Sequence, residues 1–97
     1  MLHTVNKSPF SSSSLENCLE LAKSGDAILL YEDGVLGAQA GNKSESLIQS
    51  ACSKFSVYAL EEDLSARGIQ NLISGIKTIS YDGFVDLVAE NKVVPWL

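Results

Sequence analysis

Two cysteines and one histidine are the side chains of this sequence best suited to covalent or metal chemistry. Cys18 and Cys52 lie far apart and form no Cys-x-x-Cys pair, and His3 stands alone near the start. A metal centre needs several ligands at close, regular spacing, so we predict no metal site. A lone cysteine can act as a nucleophile or carry a persulfide sulfur when its thiolate is stabilised. Thiol chemistry is therefore the covalent activity to consider.

Cys18 is the sharper candidate of the two cysteines, and two interpretations of it stay open. It lies in a helix-like stretch at 15–22 whose apolar residues share one face at i, i+3, i+4 and i+7. A free cysteine on such a face commonly packs as a small hydrophobic side chain. The alternative is that an interface between subunits exposes this face, and Cys18 then accepts sulfur.

Structural roles are favoured for Cys52 and His3, and Trp96 has two interpretations. Cys52 falls near the end of a second helix-like stretch, where the helix dipole disfavours a thiolate, so we predict that it packs. His3 falls on a predicted strand, and a hydrogen-bonded core histidine is favoured over a proton shuttle. Trp96 either covers the core or anchors an interface.

Three consecutive acidic residues follow a predicted strand at 55–60. They are Glu61, Glu62 and Asp63. Acids are favourable at a helix N-terminus, so we predict that they begin a helix, and Arg67 is spaced to pair with Asp63 at i,i+4. The functional alternative is that Glu61, Glu62, Asp63 and Arg67 form a docking edge for a basic partner.

Composition excludes several classes of function. The chain has 97 residues, 45% of them hydrophobic, and a net charge of −5 with scattered Lys and Arg. That charge opposes direct binding of nucleic acid. No Gly-rich phosphate loop and no membrane-spanning run occur, so we predict no cofactor and no membrane contact. Without a signal-like start, a cytoplasmic location is expected.

The elements alternate between strands and helices. Four strands are predicted, at 2–5, 27–31, 55–60 and 76–79, and the tail at 93–97 is placed outside the sheet. Short strands joined by helices indicate an α/β domain over residues 1–97, with a small, mostly parallel four-stranded sheet and helices on both faces. Sites in such sheets collect beyond the carboxyl ends of the strands. So small a core often depends on a partner, and the isolated chain could also form a homodimer.

Several short motifs resemble the DsrH/TusB family of sulfur-relay proteins. The most specific is Leu-x-x-Asp-Leu-x-Ala-Arg-Gly at 60–68. Ser8-Pro9-Phe10, Asp33-Gly34-Val35, Tyr81, Phe84-Val85 and Trp96 agree with it in order and spacing. The resemblance extends over essentially the whole chain.

The resemblance implies a DsrE/F/H-like fold and a heterohexamer of three related subunits in two copies each. The partners would be DsrE/TusD-like and DsrF/TusC-like subunits, together with a DsrC/TusE-like sulfur carrier. Such complexes pass persulfide sulfur either toward thiolation of the tRNA wobble uridine or in the oxidation of stored sulfur. A cysteine at position 18 resembles the DsrH branch, which is favoured on that ground.

Two functions are compatible with these observations. In the first, the chain is a non-catalytic or accessory assembly subunit of a sulfur-relay complex, because the resemblance implies that the principal sulfur-accepting cysteine lies on the DsrE/TusD-like subunit. In the second, it is a stand-alone sulfur carrier that uses a Cys18 persulfide. Direct contact with RNA is disfavoured by the acidic balance of charge.

Overall fold

Strands and helices alternate along the chain, and the computed structural model describes residues 1–97. The elements are β1 (Leu2–Val5), α1 (Ser14–Leu21), β2 (Ala27–Leu30), a 3₁₀ helix (Glu32–Ala38), α2 (Glu45–Cys52), β3 (Ser56–Leu60), α3 (Glu61–Ala66), β4 (Lys77–Ile79), α4 (Tyr81–Glu90) and β5 (Val93–Trp96). None of the helices combines the length and the apolar composition needed to cross a membrane.

The sheet has five strands in the order β4-β3-β2-β1-β5, and every pair is parallel. The predicted parallel α/β class is confirmed. The predicted count of four strands is wrong, because the tail forms β5 and pairs with β1, with His3 opposite Val94 and Val5 opposite Trp96. Pro95 concealed this strand in the sequence. Proline cannot donate to a ladder, but an edge strand tolerates it.

The order of the strands determines which helices share a face. From β1 to β4 the chain moves in one direction across the sheet, so right-handed crossovers place α1, α2 and α3 on the same face. The step from β4 to β5 returns across the whole sheet and places α4 on the opposite face. Helices therefore lie on both faces, as predicted, but three lie on one face and a single helix on the other.

The main core lies under α1, α2 and α3. Leu15 and Cys18 of α1 and Ile48 of α2 pack there against Ile28 and Leu30 of the central strand. Each apolar side chain of this size contributes about 1.5–3 kcal/mol when it is fully buried. The apolar spacing that predicted α1 and α2 is therefore the spacing of the side chains that hold them to the sheet.

The 3₁₀ helix packs closely against the end of β1, and Gly34 permits the approach. A Cβ atom at Gly34 would lie 2.2 Å from the carbonyl oxygen of Val5. Glu32, the first residue of the 3₁₀ helix, has φ 49° and is the one non-glycine residue with positive φ. The segment after β2 therefore turns sharply and lies against the carboxyl edge of the sheet.

Candidate functional site

The carboxyl ends of all five strands meet at one edge of the sheet because the strands are parallel. The 3₁₀ helix follows β2 at this edge, and α3 follows β3 directly. Both elements begin with acidic residues, which are Glu32 and Asp33 in the 3₁₀ helix and Glu61, Glu62 and Asp63 in α3. The topology thus concentrates negative charge at the position where ligands of such sheets bind.

Asp63 and Arg67 join α3 to the 3₁₀ helix. The Asp63 carboxylate accepts a hydrogen bond of 2.6 Å from the backbone N–H of Glu32. Arg67 donates to Asp33 Oδ1 from Nε at 3.2 Å and from Nη2 at 2.9 Å. The predicted pair of Arg67 and Asp63 is present, but its Nη1–Oδ1 distance is 3.8 Å, so Asp33 is the closer partner. These two residues mainly hold the edge in shape.

Glu62 and Glu61 have different surroundings. The Glu62 carboxylate accepts from the backbone N–H of Tyr81 at 3.3 Å, which ties α3 to the start of α4. Glu61 is exposed and lines a groove of about 350 Å³, together with Leu64, Ile69 and other residues. Glu61 is therefore the acidic residue of α3 that is most available to another molecule.

The groove is lined by α3, by the segment that follows α3 and by Thr78 of β4, and β3 and β4 are the strands at the topological switch point of the sheet. β3 and β4 are neighbours, but the chain leaves β3 into α3 on one face and leaves β4 into α4 on the other. A crevice beyond two such strands is the usual ligand position in open parallel sheets. No group of three or more His, Cys, Asp or Glu side chains is arranged to hold a metal ion. The edge carries several carboxylates, whose negative charge attracts basic groups.

Cys18 is fully buried in the main core and does not line the groove beside Glu61. Burial, and secondarily the negative charge of Asp26, raise the pKa of its thiol to about 12. Such a thiol stays protonated at neutral pH and has little nucleophilic character. Cys52 is half-buried, and burial raises the pKa of its thiol as well. Both cysteines are free thiols that pack against apolar neighbours in this chain.

His3 is buried near the far edge of the sheet, and both of its ring nitrogens have partners. Trp96 Nε1 donates to His3 Nδ1 at 3.1 Å, and His3 Nε2 lies 2.9 Å from Asp26 Oδ2. Since an indole N–H can only donate, Nδ1 is the acceptor and the proton is on Nε2. The hydrogen bond from His3, followed by that from the Lys23 backbone, lowers the pKa of Asp26 to about 2.

The residues predicted as site residues separate into three places. Glu61, Glu62, Asp63 and Arg67 are together at the carboxyl edge. Cys18 is in the core. Trp96 is on β5, which is separated from β3 by β2 and β1, so the two strands are roughly 14 Å apart at the usual strand spacing. Sequence reasoning missed Asp26 and the pairing of Asp33 with Arg67, because His3 and Arg67, the partners concerned, are distant in the chain. The available signal was an acidic residue at the start or the end of a predicted strand.

Three comparisons place these features among known proteins. The family model described as "DsrH like protein" matches residues 7–94. Protein TusB of Serratia proteamaculans is 39% identical over 93 residues, 95% of each chain, and Protein TusB of Escherichia coli O81 is 41% identical over the same share. The crystal structure of the ychN protein from E. coli superimposes with a TM-score of 0.84 at 20% identity, and covers 97% of each chain. At 20% identity, the match to the ychN protein shows a shared fold and no more.

Proposed function

The chain belongs to the DsrH/TusB family of sulfur-relay proteins, and we propose that it is an assembly subunit of a cytoplasmic complex that thiolates the tRNA wobble uridine. Cys18 favoured the DsrH branch in the sequence. The two curated relatives described above carry the TusB name, and the proposal therefore follows the TusB branch. In this role the chain contributes binding surface, and the sulfur travels through cysteines of other subunits.

The proposed partners are a DsrE/TusD-like and a DsrF/TusC-like subunit in a heterohexamer, served by a DsrC/TusE-like carrier. The small size of the chain supports the need for partners, because a domain of this length buries only about 60–65% of the surface that its unfolded chain exposes. The carboxyl edge of the sheet, with Glu61 exposed beside a groove, supports a docking role for Glu61, Glu62, Asp63 and Arg67. Trp96 is proposed to extend the interface at the β5 edge.

The observation that carries the assembly role is the burial of Cys18. In persulfide transfer, an acceptor thiolate attacks the outer sulfur of the donor persulfide, a new S–S bond forms, and the donor leaves as a thiolate. An acceptor must therefore be ionised and reachable. The Cys18 thiol is fully buried, and its pKa is raised to about 12. Both features favour a subunit that binds over one that carries sulfur.

Co-expression tests the assembly role. A tagged form of this chain is produced together with the DsrE-like and DsrF-like chains of the same organism, and the mass of the purified complex is measured by light scattering. We expect all three chains in one complex. Glu61→Lys should weaken that complex, whereas Glu20→Lys, which makes the same charge change at an exposed position of α1, should leave it intact. Purification of the tagged chain alone would contradict the assembly role.

The alternative function is a stand-alone sulfur carrier in which Cys18 cycles between thiol and persulfide. Its basis is a cysteine in the first helix, which the DsrH branch shares. Mass spectrometry after brief exposure of the folded chain to a persulfide donor tests it directly. Rapid gain of one sulfur atom on Cys18 would favour the carrier. No gain before unfolding, together with full relay activity of a Cys18→Ser complex, would favour the assembly subunit.

A further inference from the structure

Helix α4 has an apolar surface that the sheet covers only in part. None of its residues is buried, although it is the single helix on its face. Five of its ten residues are large and apolar: Tyr81, Phe84, Val85, Leu87 and Val88. At 3.6 residues per turn these five span an arc of about 160° around the helix.

Only one half of this arc contacts the sheet. Phe84 and Leu87 are half-buried, and the Phe84 ring lies 6.2 Å from that of Tyr31. The other half points outward, with Tyr81 52%, Val85 63% and Val88 42% exposed. Single exposed apolar residues are ordinary, but a contiguous apolar patch commonly marks an interaction surface.

An acidic stripe borders the outward half of the arc. Asp82, Asp86 and Glu90 follow one another at four-residue intervals, so they lie in one row along the helix. All three are exposed, none of them forms an ion pair, and α4 contains no Lys or Arg. The surface therefore has an apolar strip and, beside it, a strip of uncompensated negative charge.

We propose that this outer face of α4, which comprises Tyr81, Val85, Val88, Asp82, Asp86 and Glu90, binds a partner subunit whose own surface has an apolar patch edged by Lys or Arg. The assignment of the partner to the same complex rests on the proposed function. Apolar contact at the centre supplies affinity, and the charged border supplies orientation and faster association.

Charge distinguishes this occupant from a second copy of the chain. A copy that docks through the same helix offers no basic residue from α4, and in an antiparallel two-fold contact the two acidic stripes face each other. The chain as a whole has a net charge of −5, which adds to the repulsion between copies. A partner with basic residues relieves this charge instead.

The test uses the co-expressed complex of three chains and two matched pairs of variants. The first pair compares Val85→Asp with Leu21→Asp, because Leu21 is 69% exposed on α1, on the other face of the sheet. We expect Val85→Asp to weaken binding of this chain by about tenfold or more and Leu21→Asp to leave it unchanged. Circular dichroism of each isolated variant verifies that the helices are retained.

The second pair isolates the charge. One double variant combines Asp86→Lys and Glu90→Lys on α4. Its control combines Glu16→Lys and Glu20→Lys, which makes the same change of charge at the same spacing on α1. We expect only the α4 variant to slow association, and we expect added salt to weaken the wild-type complex more than the α4 variant complex.

The outcomes separate the two proposals. A wild-type chain that joins no complex would overturn the proposed function and the partner assignment with it. A wild-type complex that tolerates Val85→Asp, whatever the effect of Leu21→Asp, would overturn the α4 face alone. If Val85→Asp leaves the complex intact and instead converts a dimer of the isolated chain into a monomer, the occupant is a second copy, and the partner assignment is overturned.

Discussion

Cys18 and Asp26 lie close enough for the carboxylate to raise the pKa of the thiol in addition to the effect of burial. Asp26 itself is held ionised by His3, by the Lys23 backbone and by the chain terminus. At the scale of the residue, the surroundings therefore favour a negative charge on Asp26 and a neutral thiol at Cys18 at neutral pH. Both effects oppose a reactive Cys18 in the isolated chain.

We predict that Cys18 resists alkylation in the folded chain. With a pKa of about 12, only about one Cys18 thiol in ten thousand is ionised at pH 8. Iodoacetamide labelling followed by peptide mass spectrometry should modify Cys52 first and Cys18 only after denaturant is added. Equal labelling of both residues without denaturant would show that the core opens around α1.

The stability of Cys18 variants follows from the same burial. Cys18→Ser places a hydroxyl in the apolar core and should lower the free energy of unfolding by about 1–3 kcal/mol, whereas Cys18→Ala should cost less. Urea denaturation measures both values. The half-buried Cys52 is the control site, because Cys52→Ser leaves the new hydroxyl partly solvated. If the Cys18→Ser chain were as stable as the native chain, the packing role of Cys18 would be contradicted.

Asp26 should make the stability of the chain depend on pH in acid. Its pKa is lowered from 3.8 to about 2 in the folded chain, so its contribution is fully present above about pH 4 and is lost as the pH falls toward 2. The difference in melting temperature between the native chain and Asp26→Asn should therefore shrink from pH 5 to pH 2. The exposed Asp86, with Asp86→Asn, provides the comparison. A difference independent of pH would count against the His3–Asp26 contact.

At the scale of the element, the 3₁₀ helix is held at the carboxyl edge by the close approach of its backbone to β1. A Cβ at Gly34 would meet the Val5 carbonyl oxygen at 2.2 Å, and that atom belongs to the sheet backbone and cannot rotate away. The 3₁₀ helix also carries Asp33, the main partner of Arg67. The position of the acidic edge therefore depends on this glycine.

We predict that Gly34→Ala lowers the free energy of unfolding by about 3 kcal/mol, the upper end of the usual cost of overpacking, because the 3₁₀ helix must move away from β1. Gly25→Ala is the control: its φ is +93°, but nothing lies within 4 Å of the added Cβ, so only the left-handed backbone cost of about 1–2 kcal/mol applies. Chemical denaturation of the two variants gives the comparison. Equal losses would contradict the steric explanation.

The fifth strand is attached by a side chain as well as by its ladder. Trp96→Phe removes the hydrogen bond to His3 Nδ1 and should lower the free energy of unfolding by about 0.5–1.5 kcal/mol. Leu97→Ala, at a residue that is 78% exposed, should change it little. Thermal melts followed by circular dichroism measure both. No loss in Trp96→Phe would contradict a stabilising role of the Trp96–His3 hydrogen bond.

At the scale of the whole molecule, the two faces of the sheet are covered unequally. Three helices cover the face that holds the main core, and α4 alone covers the other while it turns apolar side chains outward. Such a distribution leaves a small domain with a thin margin of stability and an incompletely used apolar surface. We propose that association with partner subunits uses this surface.

We predict that assembly stabilises the chain. At a partner concentration a hundredfold above Kd, binding adds about 2.7 kcal/mol, which for a domain of this length raises the melting temperature by about 10 °C or more. Differential scanning fluorimetry of the isolated chain and of the complex measures the shift. Val85→Asp should reduce it, and Leu21→Asp should not. A chain that melts at the same temperature in both states would contradict stabilisation by partners.

What the sequence determined by itself was local. Apolar spacing predicted α1 and α2, a continuous apolar run predicted β2, and i,i+4 spacing predicted the contact of Asp63 with Arg67, because each of these depends on residues only a few positions apart. The parallel α/β class followed from their alternation. The short motifs at 60–68 and elsewhere, together with these elements, were sufficient to suggest the family.

What the tertiary structure decided depends on residues far apart in the chain. β5 exists as a strand because β1 offers it a ladder, Arg67 selects Asp33 because the 3₁₀ helix lies against the sheet edge, and the outward half of α4 is exposed because the return crossover places that helix alone on its face. No local pattern encodes these arrangements. They arise when parallel pairing and right-handed crossovers bring distant segments together, and the candidate surfaces of this protein depend on that arrangement.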